Sequence, residues 1–151
     1  MDLASLIKNT PDLEERQKIL LQEFSVLADW EEKYKKIIDL GKRWPALPET
    51  EKNEDLLVKG CQSQVWLKAD LVGDKIVFRG DSDALIVKGL LALVLTVYSD
   101  AKPSVILKTD PHFLQDLGLQ SHLSPSRSNG LFSMIKQIKY YATAFSYLVG
   151  R

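Results

Sequence analysis

Ser63-Gln64-Val65-Trp66-Leu67-Lys68-Ala69-Asp70-Leu71-Val72-Gly73-Asp74-Lys75-Ile76-Val77-Phe78-Arg79 reads as two strands joined by a turn. Residues 63–71 alternate, with Val65, Leu67 and Ala69 on one side and Gln64, Trp66 and Lys68 on the other. That is the period of a half-buried strand. Val72-Gly73-Asp74 is turn chemistry and Lys75 to Arg79 a second strand, so a hairpin is expected. Immediately upstream, Lys59-Gly60-Cys61-Gln62 places the chain's only cysteine at the mouth of the first strand. A glycine beside it lets backbone come close.

Helices are expected on both sides of the hairpin. Thr10-Pro11-Asp12 suits a helix start, with Thr10 as cap and Pro11 in the first turn, followed by Leu13, Leu20, Phe24 and Leu27 at helical spacing. Asp29 and Glu32 form a capping-box-like pair. Trp30, Tyr34, Ile37 and Ile38 then make one apolar face, and Gly41 suits the stop. Residues 42–55 are polar, carry Pro45 and Pro48, and read as a loop or extended connector.

Gly80-Asp81-Ser82-Asp83 punctuates. Ala84 to Tyr98 is apolar all round, as in a buried central helix, with Gly89 placed for close packing against the sheet and a strand component near residues 80–85 as an option. Asp110-Pro111 opens a short helix that Gly118 ends. Ser124-Pro125 opens the last helix, with Leu131, Ile135, Ile138, Phe145 and Leu148 as its inner face. Asn129-Gly130 inside that helix goes against helix propensity, and such violations gather at functional sites.

The 151 residues fit one domain, 1–151, with 45% hydrophobic and 26% charged residues. Twenty basic residues balance twenty acidic ones, so no broad field holds nucleic acid or an anionic membrane. One cysteine excludes an internal disulfide and multi-thiolate zinc sites. The free thiol, the absence of a signal-like start and the lack of a spanning apolar run point to a cytoplasmic protein.

From local residues alone Cys61 reads either as a small buried hydrophobe or as a nucleophile. Its polar neighbours Gln62 and Ser63 favour the second, and Lys59 is placed to help a thiolate. His112 reads as a first-turn surface residue and His122 as a weak candidate base; neither has metal-ligand spacing. Two further polar clusters, residues 80–83 and 124–130, read by default as a turn with a helix cap and as a capped helix start carrying an exposed Arg127.

Taken together, Gly60-Cys61-Gln62-Ser63-Gln64-Val65-Trp66, Gly80-Asp81-Ser82-Asp83-Ala84 with Ile86-Val87-Lys88-Gly89-Leu90, and Leu123-Ser124-Pro125-Ser126-Arg127-Ser128-Asn129-Gly130-Leu131 resemble the SufE family, in that order along the chain. Trp30-Glu31-Glu32-Lys33-Tyr34 with Leu40-Gly41 resembles its N-terminal part; residues 1–20 lie outside the resemblance. The resemblance implies an α+β fold shared with IscU-type scaffolds, a small antiparallel sheet covered by helices. It implies a sulfur acceptor: persulfide sulfur passes from a SufS-like cysteine desulfurase to Cys61 and on to a SufBCD-like iron–sulfur scaffold. Pyridoxal phosphate belongs to the desulfurase, and no cofactor is expected here.

Expected around Cys61 are Gly60, Gln62, Ser63, Asp81, Asp83 and Arg127, on one surface. The sulfur is expected to be shielded in the free protein, on a loop that opens for its partner. The rival readings are a CsdE-like acceptor for another desulfurase, an enzyme with Cys61 as nucleophile and His122 as base, and an interaction module with an inert Cys61.

Overall fold

The computed structural model describes residues 1–149. The hairpin forms as read. Strand β1 (Val65–Val72) pairs antiparallel with β2 (Lys75–Ser82), with Val72 opposite Lys75. The two-residue turn works because Gly73 takes φ 65°, which a side chain disfavours.

Two details differ from the reading. First, β2 runs past Arg79 to Ser82, so Gly80 and Asp81 are strand residues rather than punctuation. A Cβ at Gly80 would lie 2.8 Å from the Trp66 carbonyl oxygen and 2.9 Å from Leu91 Cδ2. Glycine is there to let the central helix cross the sheet closely. Second, Trp66 is buried rather than solvent-facing, at 7% exposure. The connector ahead of β1 folds over it: Leu57 bridges to Trp66 and the Lys52 ammonium sits 5.5 Å from the centre of the indole. That connector holds two short 3-10 turns, Glu49–Glu51 and Glu54–Leu56.

Three helices precede the connector. Helix α1 (Leu3–Asn9) and α2 (Leu13–Ser25) are separated by Thr10 to Asp12. The cap of α2 is Asp12, whose carboxylate accepts from Glu14 N at 3.0 Å, not Thr10. Helix α3 (Trp30–Arg43) starts at Asp29, which accepts from Glu32 N at 2.9 Å. The Glu32 carboxylate in turn accepts from Ala28 N at 2.8 Å, one residue upstream of a regular capping box.

Gly41 does not stop α3. It lies within the helix, where a Cβ would fall 2.6 Å from Gly89 N, and a Cβ on Gly89 would fall 2.1 Å from the Ile37 oxygen. The two glycines therefore let α3 and α4 touch backbone to backbone, so Gly89 serves a helix–helix contact and not the sheet.

Helix α4 (Leu85–Tyr98) is the centre of the molecule; Leu90 to Leu95, Val97 and Tyr98 are all at most 1% exposed. Beyond its first turn it is surrounded on every side, which matches its largely apolar sequence there. Its C-terminus is held by a buried arginine. Arg16 of α2, 1% exposed, donates to the carbonyls of Thr96 (3.3 Å), Val97 (3.2 Å) and Ser99 (2.5 Å). It also donates to Thr10 O at 2.7 Å and Ile7 O at 3.3 Å.

The chain continues through α5 (Pro103–Lys108), α6 (Phe113–Asp116) and α7 (Leu119–His122) to the long α8 (Pro125–Val149). Gly118, expected to end one helix, does so and also begins the next from φ 75°. On α8, Leu131, Ile135 and Ile138 are buried as read, but Leu148 is 72% exposed. The last buried residue of α8 is Ser146. Among the described residues no helix is long and apolar enough to cross a membrane.

Candidate functional site

The loop carrying Cys61 is closed at its base like a purse. Val58 N donates to Val65 O at 2.8 Å, and Leu57 bridges to Trp66. Between these anchors Gly60 takes φ 95° and lies so tightly on α8 that a Cβ would fall 2.4 Å from Ser133 Oγ. The turn sends the next side chain toward α8. Cys61 is half-buried, and its thiol donates to the Gly130 carbonyl at 3.6 Å. The Asn129-Gly130 interruption thus marks where the cysteine meets α8.

The sulfur borders a cavity of about 350 Å³. Its polar lining is Gln62 and Ser63 from the loop, with Ser124, Ser126 and Arg127 around the start of α8. Its apolar lining is Ile86, Val87 and Leu90 from α4 and Met134 from α8. Arg127 and Cys61, distant in sequence, border the same cavity. Helix α8 starts there because Ser124 Oγ accepts from Arg127 N at 3.3 Å. Helix α4 starts there too, from Ala84, with no side-chain cap.

Burial pushes the Cys61 thiol above its ordinary range, since a thiolate is disfavoured where water is excluded. Neither Lys59 nor Arg127 pulls it back down. At neutral pH the resting side chain is a protonated thiol.

The two aspartates have different positions. Asp83 is exposed and fastens the downstream arm of the loop: Gln64 N donates to its carboxylate at 3.1 Å, and its own N–H returns to Gln64 O at 3.3 Å. Neither Asp81 nor Asp83, both expected beside Cys61, is among the cavity residues. Asp81 is 2% exposed, accepts from Leu47 N at 3.0 Å, and pairs with Lys52 and Lys88, each at 3.3 Å. Burial alone would raise its pKa. The N–H groups of Ser82 and Leu47, then Lys88 and Lys52, outweigh burial and hold it below the usual carboxylate range. It ties the connector to β2 and α4.

Neither histidine reaches the sulfur. His122 stacks on Trp30 with ring centres 4.1 Å apart, its Nδ1 lies 3.0 Å from Gly118 O, and its carbonyl accepts from Tyr34 OH. His112 bridges Glu14 of α2 and Asp116 of α6. Ser133 and Met134 escaped the sequence reading. Their signal was present as the i+3 and i+4 neighbours of the misfit Gly130.

The chain matches the SufE family, described as an Fe-S metabolism associated domain, over residues 18–142. It is 42% identical over 125 residues to an uncharacterized SufE-like protein of Rhizobium meliloti (strain 1021), covering 80% of this chain and 89% of that one. Its fold is similar to the solution structure of a hypothetical protein from Thermus thermophilus, with TM-score 0.70 and 22% identity over 85% of this chain and 94% of that one. With the family match spanning most of the chain and a SufE-like relative at 42% identity, the protein belongs to the SufE family.

Proposed function

We propose that this protein carries sulfur for iron–sulfur cluster assembly: Cys61 accepts persulfide sulfur from a cysteine desulfurase and yields it to a cluster scaffold of the SufBCD kind. The observation that carries the reading is the placement of the chain's one thiol on a short loop bordering a cavity lined by both polar and apolar side chains. In the uptake step the Cys61 thiolate attacks the outer sulfur of the desulfurase persulfide. The S–S bond to the desulfurase breaks, its cysteine leaves as thiolate, and Cys61 becomes the persulfide. In delivery an acceptor thiolate attacks that outer sulfur and Cys61 leaves as thiolate. The pyridoxal phosphate chemistry stays in the desulfurase, and the site calls for no cofactor of its own.

The raised thiol pKa fits a carrier that is quiet at rest. Drawing the loop off α8 restores water to the sulfur, lowers its pKa and frees the nucleophile. Gly60 supplies the pivot. Gln62 and Ser63 travel with the loop, Arg127 faces the anion or the partner, and Asp83 holds the loop's downstream arm while Asp81 ties the connector to β2 and α4. A cytoplasmic setting keeps the thiol reduced. A Cys61-nucleophile enzyme with His122 as base is disfavoured by the Trp30 stack that holds that ring.

The test is desulfurase turnover. Wild-type protein should stimulate conversion of cysteine to alanine by its desulfurase, and the near-isosteric Cys61→Ser should not. Equal stimulation by the serine variant would defeat the relay.

A further inference from the structure

Gly130 is the odd residue of α8. Glycine within a helix lowers helix stability, so its presence asks for a steric reason. The reduced protein does not supply one. An ideal Cβ at Gly130 would have a single heavy atom within 4 Å outside the helix's own backbone and adjacent residues, the Cys61 sulfur at 3.6 Å. That is ordinary van der Waals contact, and alanine would fit. This is unlike Gly41, Gly80 and Gly89, where a Cβ would come within 2.8 Å of backbone atoms.

The thiol does not need the space beside its sulfur, but a persulfide does. The S–H group points at the Gly130 oxygen, 3.6 Å from Sγ. A second sulfur lies about 2 Å from the first; along that line it would stop about 1.6 Å from the oxygen, well inside contact. The outer sulfur has to swing off the carbonyl into the neighbouring open volume, which Gly130 and Met134 border together. A methyl group on residue 130 would stand in that volume, directly against Sγ.

We infer that Gly130 is a positioning residue that keeps room for the outer sulfur of the Cys61 persulfide. It specifies the loaded state of the carrier and leaves the thiol state indifferent. This rests on the sulfur-carrier reading above.

Gly130→Ala separates the two states without any partner protein. Sodium disulfide at alkaline pH loads the protein: the Cys61 thiolate attacks one sulfur of the HS–S⁻ ion, the S–S bond breaks, hydrosulfide leaves, and Cys61 holds the added sulfur. Loading is read by intact mass, and each form is melted and then challenged with dithiothreitol. The thiol form of Gly130→Ala should melt at or above wild type, because the helix gains propensity. Its persulfide form should melt below its own thiol form and lose sulfur to dithiothreitol about tenfold faster than wild type, as an overpacked group is expelled from its pocket. Wild type should melt alike in both forms.

Equal melting and equal sulfur lifetime in the two proteins would overturn the inference. A thiol form of Gly130→Ala that melts below wild type would overturn it too, since the methyl would then already clash in the reduced protein. Failure of wild type itself to take sulfur on Cys61 is a distinct result: it brings down the carrier reading, and this inference with it.

Discussion

The central helix α4 has two unlike ends. At its C-terminus the carbonyls of Thr96, Val97 and Ser99 all accept from one buried guanidinium, Arg16. At its N-terminus Ala84 supplies no side-chain cap, and the first turn opens on the cavity that Cys61 borders. A helix leaves free carbonyls at one end and free N–H groups at the other. This protein satisfies the first set inside the core and leaves the second beside its one nucleophile. The contrast separates a closed, stability-bearing end from an open, chemical one, and the two should respond differently to substitution.

The closed end should suffer most. Arg16→Met leaves several buried carbonyls without a donor, and we expect a loss of about 3 kcal/mol, measured by urea unfolding, with sulfur chemistry at Cys61 intact in the folded fraction. A loss below about 1 kcal/mol would show that water or backbone replaces the guanidinium.

Asp81 lies between the two ends. Asp81→Ala strips a buried acceptor from Leu47 N and leaves Lys52 and Lys88 without their shared carboxylate. We expect a loss of about 2–3 kcal/mol and a connector that exchanges amide hydrogens faster. The stability that its depressed pKa contributes is present above the unfolded-state carboxylate pKa. It disappears as pH falls through the lower folded-state value, so the variant should also lose part of the wild-type acid transition.

The open end should respond with a gain. Ala84 already has extended cap geometry, φ −112° and ψ 130°, so Ala84→Ser should add about 1 kcal/mol by capping α4. A gain in unfolding free energy with slower sulfur uptake would strengthen the contrast, since the bare N–H groups would then serve the chemistry. A gain with unchanged uptake would reduce the open end to a missing cap.

The mildest response belongs to the surface. Glu14 first and Asp116 second raise the pKa of His112. Its contribution is therefore full below the unfolded-state histidine pKa and fades as pH rises through the folded-state value. The pair is half exposed, so the effect should be under about 1 kcal/mol. His112→Ala should flatten the stability profile near neutrality; an unchanged slope would show that these ion pairs contribute nothing to it.

What the sequence made legible follows the same division. The hairpin, the central helix and the ordered motifs around Cys61 were readable because alternation, uniform apolarity and local misfits leave marks on consecutive residues. Gly130 was flagged by breaking a helix rule and turned out to meet the cysteine. Contacts between distant segments left weaker marks. Gly41 looked like a helix stop because a glycine that serves a backbone crossing and one that ends a helix look alike in one dimension. Asp81 read as part of a turn because its lysine partners sit in the connector and on α4. Trp66 falls with Gln64 and Lys68 in the alternation, and nothing in the polar 42–55 stretch announces that it folds over that side of the sheet. Arg16 gave no sign at all, since a buried arginine serving carbonyls carries no partner charge in the sequence.

The carrier reading stands or falls on whether Cys61 holds transferred sulfur. That is read by intact mass, followed by peptide mapping, after incubation with a cysteine desulfurase and cysteine. We expect one added sulfur, reversible by a reducing thiol, located on Cys61 and absent from Cys61→Ser. A wild-type protein that stays at its unmodified mass while the desulfurase turns over, or that gains the same sulfur in the serine variant, would contradict it.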